Sequence, residues 1–143
     1  MPQIRHTGLV TNNIKKSLIF WVNYLKFNIK SDNIEKGALI DKVLGYKNVR
    51  VRTVKLIDKK KVGMLELLYF YNSPKVKFKN IKPYSKGFTH LSITVKDLEF
   101  TYKFLKKKKI RFNSKPNISA DGKVKMTYCK TPEGVFLELV EVL

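Results

Sequence analysis

Apolar positions recur along this chain with two periods, and the two follow each other in the same order twice. Near the start, Ile4-Arg5-His6-Thr7-Gly8-Leu9-Val10 predicts a strand over Gln3–Val10. Ile14, Leu18, Val22 and Leu25 then fall at helical spacing, which predicts a helix over residues 13–25 with Asn12 or Asn13 as its cap. Phe27–Ser31 reads as a short strand, and Ala38–Leu44 as a short helix stopped by Gly45. Val49–Leu56 alternates as a strand. Lys59-Lys60-Lys61 with Gly63 predicts a hairpin turn into a strand over Val62–Tyr71.

Asn72–Lys86 holds Pro74 and Pro83 and is the linker-like stretch, after which the order returns. Gly87–Val95 predicts a strand and Asp97 a helix cap, and Leu98, Tyr102 and Leu105 line a helix to about Lys109. Ile110–Asn113 predicts a strand, with Pro116 in the loop after it. Lys123–Lys130 and Val135–Val142 predict two more strands, joined by the turn Thr131-Pro132-Glu133-Gly134. Each half is strand, helix, then three strands. The fold class expected is therefore α+β, built from two tandem βαβββ modules over residues 1–75 and 87–143. Residues 76–86 link them into a single domain spanning 1–143.

A chain of 143 residues with 43% hydrophobic content can bury a core of this kind. No apolar run approaches the roughly 18 residues of a membrane span, and Met1-Pro2-Gln3-Ile4-Arg5-His6 lacks the apolar core of a signal peptide. A cytoplasmic protein without a membrane partner is expected. The single cysteine, Cys129, excludes an internal disulfide and a thiolate-rich metal site, and reads as a small residue on a strand. A formal charge of +19 suggests nucleic acid. However, the arginines that favour bidentate base reading are only Arg5, Arg50, Arg52 and Arg111. The lysines are spread along the chain, and the run Lys106-Lys107-Lys108-Lys109 complements a helix dipole. Specific nucleic-acid binding is not expected.

The repeat also carries chemistry. His6 and His90, the two histidines of the chain, stand at the same place in the first strand of each half. Glu66 stands inside Met64-Leu65-Glu66-Leu67-Leu68, and Glu138 inside Phe136-Leu137-Glu138-Leu139-Val140. A carboxylate within an apolar strand costs several kcal/mol unless it is paired, protonated or bound to metal. Gathering two histidines and two glutamates on one divalent cation would remove that cost. Arg50 and Arg52 share a face of an alternating strand and are candidates to grip a carboxylate or phosphate of a small-molecule substrate. Asp41 is a candidate auxiliary acid or base.

These residues resemble the vicinal oxygen chelate superfamily, also called the glyoxalase/bleomycin-resistance superfamily. The resemblance rests on Arg5-His6-Thr7-Gly8-Leu9-Val10, Met64-Leu65-Glu66-Leu67, Thr89-His90-Leu91-Ser92-Ile93 and the closing Thr131-Pro132-Glu133-Gly134-Val135-Phe136-Leu137-Glu138-Leu139. It implies two βαβββ modules forming a curved mixed sheet around a metal-binding cleft, with His6, Glu66, His90 and Glu138 as ligands. Two imidazoles and two carboxylates suit one divalent Co, Ni, Zn, Mn or Fe per site. A four-ligand set looks like that of glyoxalase I and methylmalonyl-CoA epimerase relatives, which remove a proton next to a carbonyl. Glu66 or Glu138 would be the base. The chain departs from the glyoxalase I pattern at Leu18-Ile19-Phe20-Trp21-Val22 and at Leu67-Leu68-Tyr69-Phe70-Tyr71-Asn72-Ser73-Pro74, which favours an isomerase or epimerase over a hemithioacetal lyase. A non-catalytic binding protein of the resistance type is a further alternative. A homodimer is expected.

Overall fold

A computed structural model describes residues 1–77 and 80–143. The chain forms two compact units, Met1–Lys77 and Phe78–Leu143. The expected linker, 76–86, includes Phe78 and Lys79, which lie outside the described residues.

The first unit runs β1 (Thr7–Val10), α1 (Ile14–Leu18), a π-helical continuation (Ile19–Tyr24), β2 (Asn28–Lys36), α2 (Ala38–Leu44), β3 (Arg50–Ile57) and β4 (Met64–Phe70). The second runs β5 (His90–Thr94), α3 (Leu98–Lys107), β6 (Asn117–Ile118), β7 (Val124–Lys130) and β8 (Phe136–Val142). Each unit holds one four-stranded mixed sheet, ordered β1-β4-β3-β2 and β5-β8-β7-β6. In both, the first strand lies parallel to the last, and the remaining pairings are antiparallel. The α+β class and the doubled βαβββ order are as the periodicity predicts. Among the described residues, no helix is long and apolar enough to cross a membrane.

One face of each sheet forms the core. In the first unit Leu9, Val54, Leu56, Leu65 and Leu67 are buried with Phe20 and Trp21 of the helix. The predicted helical stripe of Ile14, Leu18, Val22 and Leu25 is displaced, and the deepest residues are Ser17, Phe20 and Trp21. The buried set keeps the i, i+3, i+4 spacing of one helical face, but that face includes the polar Ser17, which an apolar stripe does not reveal. The helix is π-wound over Ile19–Tyr24, where Leu25 N–H reaches back to Phe20 C=O at 3.0 Å. Phe20 meets Trp21 edge-on at 5.1 Å, and Trp21 meets Phe27 at 5.6 Å. The Ser17 hydroxyl, fully buried, is satisfied by Thr11 Oγ1 at 2.7 Å. In the second unit Leu98 and Leu105 of α3 are buried with Cys129, Leu137 and Leu139.

Local signals decide the ends. Asn13 caps α1, accepting from Lys16 N–H at 3.0 Å, while the Asn12 amide donates to Val76 C=O at 3.1 Å. Gly45 ends α2 at φ +64°, a left-handed turn that glycine adopts without strain. The strand predicted at Ile110–Asn113 contracts to a single bridge between Phe112 and Cys129. The short β6 forms instead at Asn117–Ile118, just past Pro116, which has no N–H to give a ladder. The first strand is also shorter than predicted, leaving His6 one residue ahead of β1.

Two outcomes test this packing. Asp97 caps α3 by accepting from Phe100 N–H at 2.8 Å, so Asp97→Ala should lower unfolding stability by about 1 kcal/mol, read as a fall in urea midpoint at unchanged slope. Burial pushes the Cys129 thiol up from 9.0 to about 12. A disulfide reagent should therefore label it at pH 8 far more slowly in the native protein than in urea. The stability gained from keeping this thiol neutral is complete below about 9 and is lost as pH rises toward about 12.

Candidate functional site

Strand alternation turns the second face of each sheet toward polar chemistry. On β4, Leu65 and Leu67 point into the core, so Glu66 lies on the other face with Met64 and Leu68. On β8, Leu137 and Leu139 point inward and Glu138 lies opposite. Glu66 is paired in register with Gly8, and Glu138 with Ser92. Both neighbours are small and exposed, and at Gly8 the Leu68 side chain lies where a Cβ would point, within 3.3 Å of it.

Each histidine stands two residues ahead of its glutamate's register partner, and so on the same face. His6 Nε2 lies 2.9 Å from Glu66 Oε2, with the glutamate side chain only 13% exposed. His90 Nε2 lies 4.0 Å from Glu138 Oε2, with the glutamate 17% exposed. The predicted ligands are thus brought together as one His–Glu pair in each unit. Within either unit, no third His, Cys, Asp or Glu among the described residues joins the pair as a metal cluster.

The register also reveals two residues that the sequence reading did not single out. Lys55 pairs with Glu66 across β3–β4, and Tyr128 pairs with Glu138 across β7–β8. They are equivalent positions in the two sheets. Lys55 Nζ lies 3.8 Å from Glu66 Oε1, leaving Oε2 to His6. The Tyr128 ring meets the His90 ring at 5.4 Å, edge to face. Burial, and then the negative charge of the Glu138 carboxylate across the ladder, push the Tyr128 phenol above its ordinary range. The signal that could have found both was the hairpin register, which places a β3 or β7 residue opposite each glutamate.

The histidines differ as well. His90 Nδ1 has the Thr89 hydroxyl at 3.2 Å. His6 Nδ1 is buried, with no hydrogen-bond partner among the described residues. A bare ring nitrogen tolerates that better than a buried N–H, so the His6 proton belongs on Nε2, where Glu66 accepts it.

The donor set suits a divalent cation. Two ligands at about 2.1 Å and at right angles on one metal are roughly 3 Å apart, and the first pair already has that spacing. The second is wider and needs Glu138 to turn toward His90.

Arg50 and Arg52 lie elsewhere. Lys55 faces Glu66, and Arg52 is three positions away along an unbroken ladder, so both arginines are on the opposite, helix-covered face. Arg52 is held by Asp32 in a two-pronged pair at 2.8 and 2.7 Å, and Arg50 lies over the Tyr71 ring at 4.5 Å. The alternation of β3 is as read, but which of its two sets faces the glutamates depends on the hairpin register. Asp41 is likewise engaged, its two oxygens accepting from Asn48 and Val49 N–H at 2.9 and 2.7 Å. It fixes the turn into β3. On the glutamate face stand Lys55 and, in the second unit, Lys130, whose Nζ lies 4.9 Å over the Phe136 ring.

A doubled βαβββ architecture with one histidine and one glutamate at matched positions defines a class of protein, and comparison with known proteins agrees. The family model described as Glyoxalase/Bleomycin resistance protein/Dioxygenase superfamily matches residues 3–139. The chain belongs to this superfamily. A glyoxalase family protein from Bacillus cereus superposes with a TM-score of 0.90 at 17% identity, covering 100% of this chain and 95% of that one. A glyoxalase family protein from Enterococcus faecalis gives 0.70 at 22% identity, covering 99% and 98%. The trypanothione-dependent glyoxalase I of Leishmania major gives 0.64 at 16% identity, covering 99% and 87%. A comparison with curated proteins found no match.

The Asp32–Arg52 pair can be tested apart from the site. The Arg52 hydrogen bond holds the Asp32 carboxyl below its ordinary value of 3.8, against the opposing effect of burial. Its stabilisation is present above that value and is lost as pH falls through the depressed one. Arg52→Ala should therefore cost roughly 0.2–1 kcal/mol near pH 7, as for exposed pairs, and progressively less below pH 4. Urea midpoints at the two pH values check this.

Proposed function

We propose that this protein is a divalent-metal-dependent isomerase or epimerase that removes and returns a proton next to a carbonyl of a small acyl or carbonyl substrate. His6, Glu66, His90 and Glu138 are the ligands, and Glu66 or Glu138 is the base. The observation that carries this reading is the repetition of a His–Glu pair at the same register in two sheets, on the face opposite the buried leucines of β4 and β8. Membership of a superfamily that includes metalloenzymes such as glyoxalase I supports it. A hemithioacetal lyase would use the same proton transfer and is the alternative.

A metal bound there would act as a Lewis acid toward the substrate oxygens and stabilise the developing enolate charge. The other tasks belong to the chain. Ser92, small and exposed opposite Glu138, leaves room there for the reacting carbon. Lys55 and Lys130 offer positive charge to an anionic group of the substrate. A carboxylate in water has a pKa of roughly 4.3 and is a weak base toward a carbon acid, and a water-poor site strengthens it. A glutamate from each half allows one to take the proton and the other to return it to the opposite face, which would invert the carbon.

Elemental analysis of purified protein should find about one divalent ion per site, and His90→Ala should lower that occupancy sharply. Deuterium uptake into substrate from heavy water should fall by about 10²–10⁴ in whichever of Glu66→Gln and Glu138→Gln removes the base. If both variants hold metal and exchange at the wild-type rate, neither glutamate is the base.

A further inference from the structure

The first unit holds a cleft of about 340 Å³ lined by Asn12, Asn13, Lys15, Tyr69 and Tyr71. Strand alternation puts Tyr69 and Tyr71 on the face of the sheet opposite Glu66. Their rings meet edge-on at 5.1 Å, and each ring carries a cation. Arg50 lies 4.5 Å over Tyr71, while Lys75 Nζ lies 4.1 Å over Tyr69 and donates to Phe70 C=O. Asparagines tie the walls together. Asn72 accepts from Arg50 N–H at 3.3 Å and donates to Asn48 C=O, and Asn12 donates to Val76 C=O at 3.1 Å. Arg52, on the same strand face, is neutralised by Asp32. Among the described residues, no carboxylate pairs with Lys15, Arg50 or Lys75. We propose that this cleft is a second binding site, which takes a small aromatic phosphate.

Volume, rings and charge select that chemistry together. Small-molecule sites run from roughly 300 to 1,000 Å³, and a cleft at the low end suits a ligand with one ring system. Tyrosine rings offer a planar group apolar surface and edge-to-face contact. Three cations without a carboxylate favour a dianion. A guanidinium held over a ring keeps its fork of N–H donors free to bracket two phosphate oxygens. The asparagine bonds fix the chain after β4 against the turn into α1, so the cations are in place before a ligand arrives. The lysines spread over the rest of the chain attract anions as well, and the paired rings are what set this cleft apart from a diffuse positive field. The site needs no metal and stands independently of the function proposed above.

The test titrates the full chain with phenyl phosphate, inorganic phosphate and phenol, each by calorimetry at low ionic strength. Phenyl phosphate should bind about 10-fold more tightly than either of the other two. Arg50→Gln should weaken it by about 10-fold, the loss expected for a hydrogen bond to a charged group. Tyr71→Leu should narrow the preference for phenyl phosphate over inorganic phosphate by about 5-fold. Lys59→Gln removes the same charge from the exposed hairpin at the far end of the β3–β4 ladder, and should leave affinity within about twofold. Thermal melts check that each variant is folded, and Lys75→Gln reads the same loss should Arg50→Gln prove unfolded. Phenyl phosphate binding no more tightly than inorganic phosphate, or a Lys59→Gln loss equal to that of Arg50→Gln, overturns the proposal in favour of diffuse charge. Absence of phenyl phosphate binding overturns it outright.

Discussion

A β-strand has two faces and no third, and this constraint organises both units. Leucines at every second position of β4 and β8 are committed to the core, so whatever stands between them is displayed on the opposite face. A one-residue slip of either strand would bury the glutamate among helix side chains and expose the leucines. Core packing and site geometry are therefore one requirement. The apolar residues that stabilise the sheet also aim the carboxylates, and the parallel first strand adds a histidine on the same side of each.

Matched position does not mean matched surroundings. A largely buried carboxylate needs partners, and the two units meet that need differently. Glu66 has a histidine on one oxygen and a lysine near the other. Glu138 has a more distant, more exposed histidine and a tyrosine. Even the imidazoles diverge, one with a hydroxyl beside Nδ1 and the other with none. Such differences leave the leucine core untouched because each involves a side chain on the opposite face of its sheet.

Much of this was legible in the chain. The doubled order of elements, the Asp97 cap, the Gly45 stop and the alternation of Leu with Glu138 are local patterns with local causes. The misses have a common origin in pairing. Arg50 and Arg52 were read correctly as one alternating set, but the face they occupy is decided by the partner strand. Lys55 and Tyr128 were invisible for the same reason, since opposition across a ladder is written in neither strand alone. The buried helical face runs through Ser17, Phe20 and Trp21 because the Ser17 hydroxyl is satisfied by Thr11, so a polar residue sits where an apolar stripe would not place the core. The short β6 reflects Pro116 and the demands of its β7 partner more than any apolar run of its own.

The two sheets have the same strand order, yet the connections between their second and third strands differ. In the first unit that path carries α2 and the turn clamped by Asp41. In the second it is a tight turn in which Asp121 accepts from the Ser119 hydroxyl and Lys123 N–H. The extra helix thus enters where no ladder hydrogen bond is interrupted, and Asp41 closes it off so that β3 starts in register. For a duplicated architecture this is a route to divergence. One copy can carry a new surface, and so a new taste in ligands, while the other keeps a short turn and both retain the same sheet order.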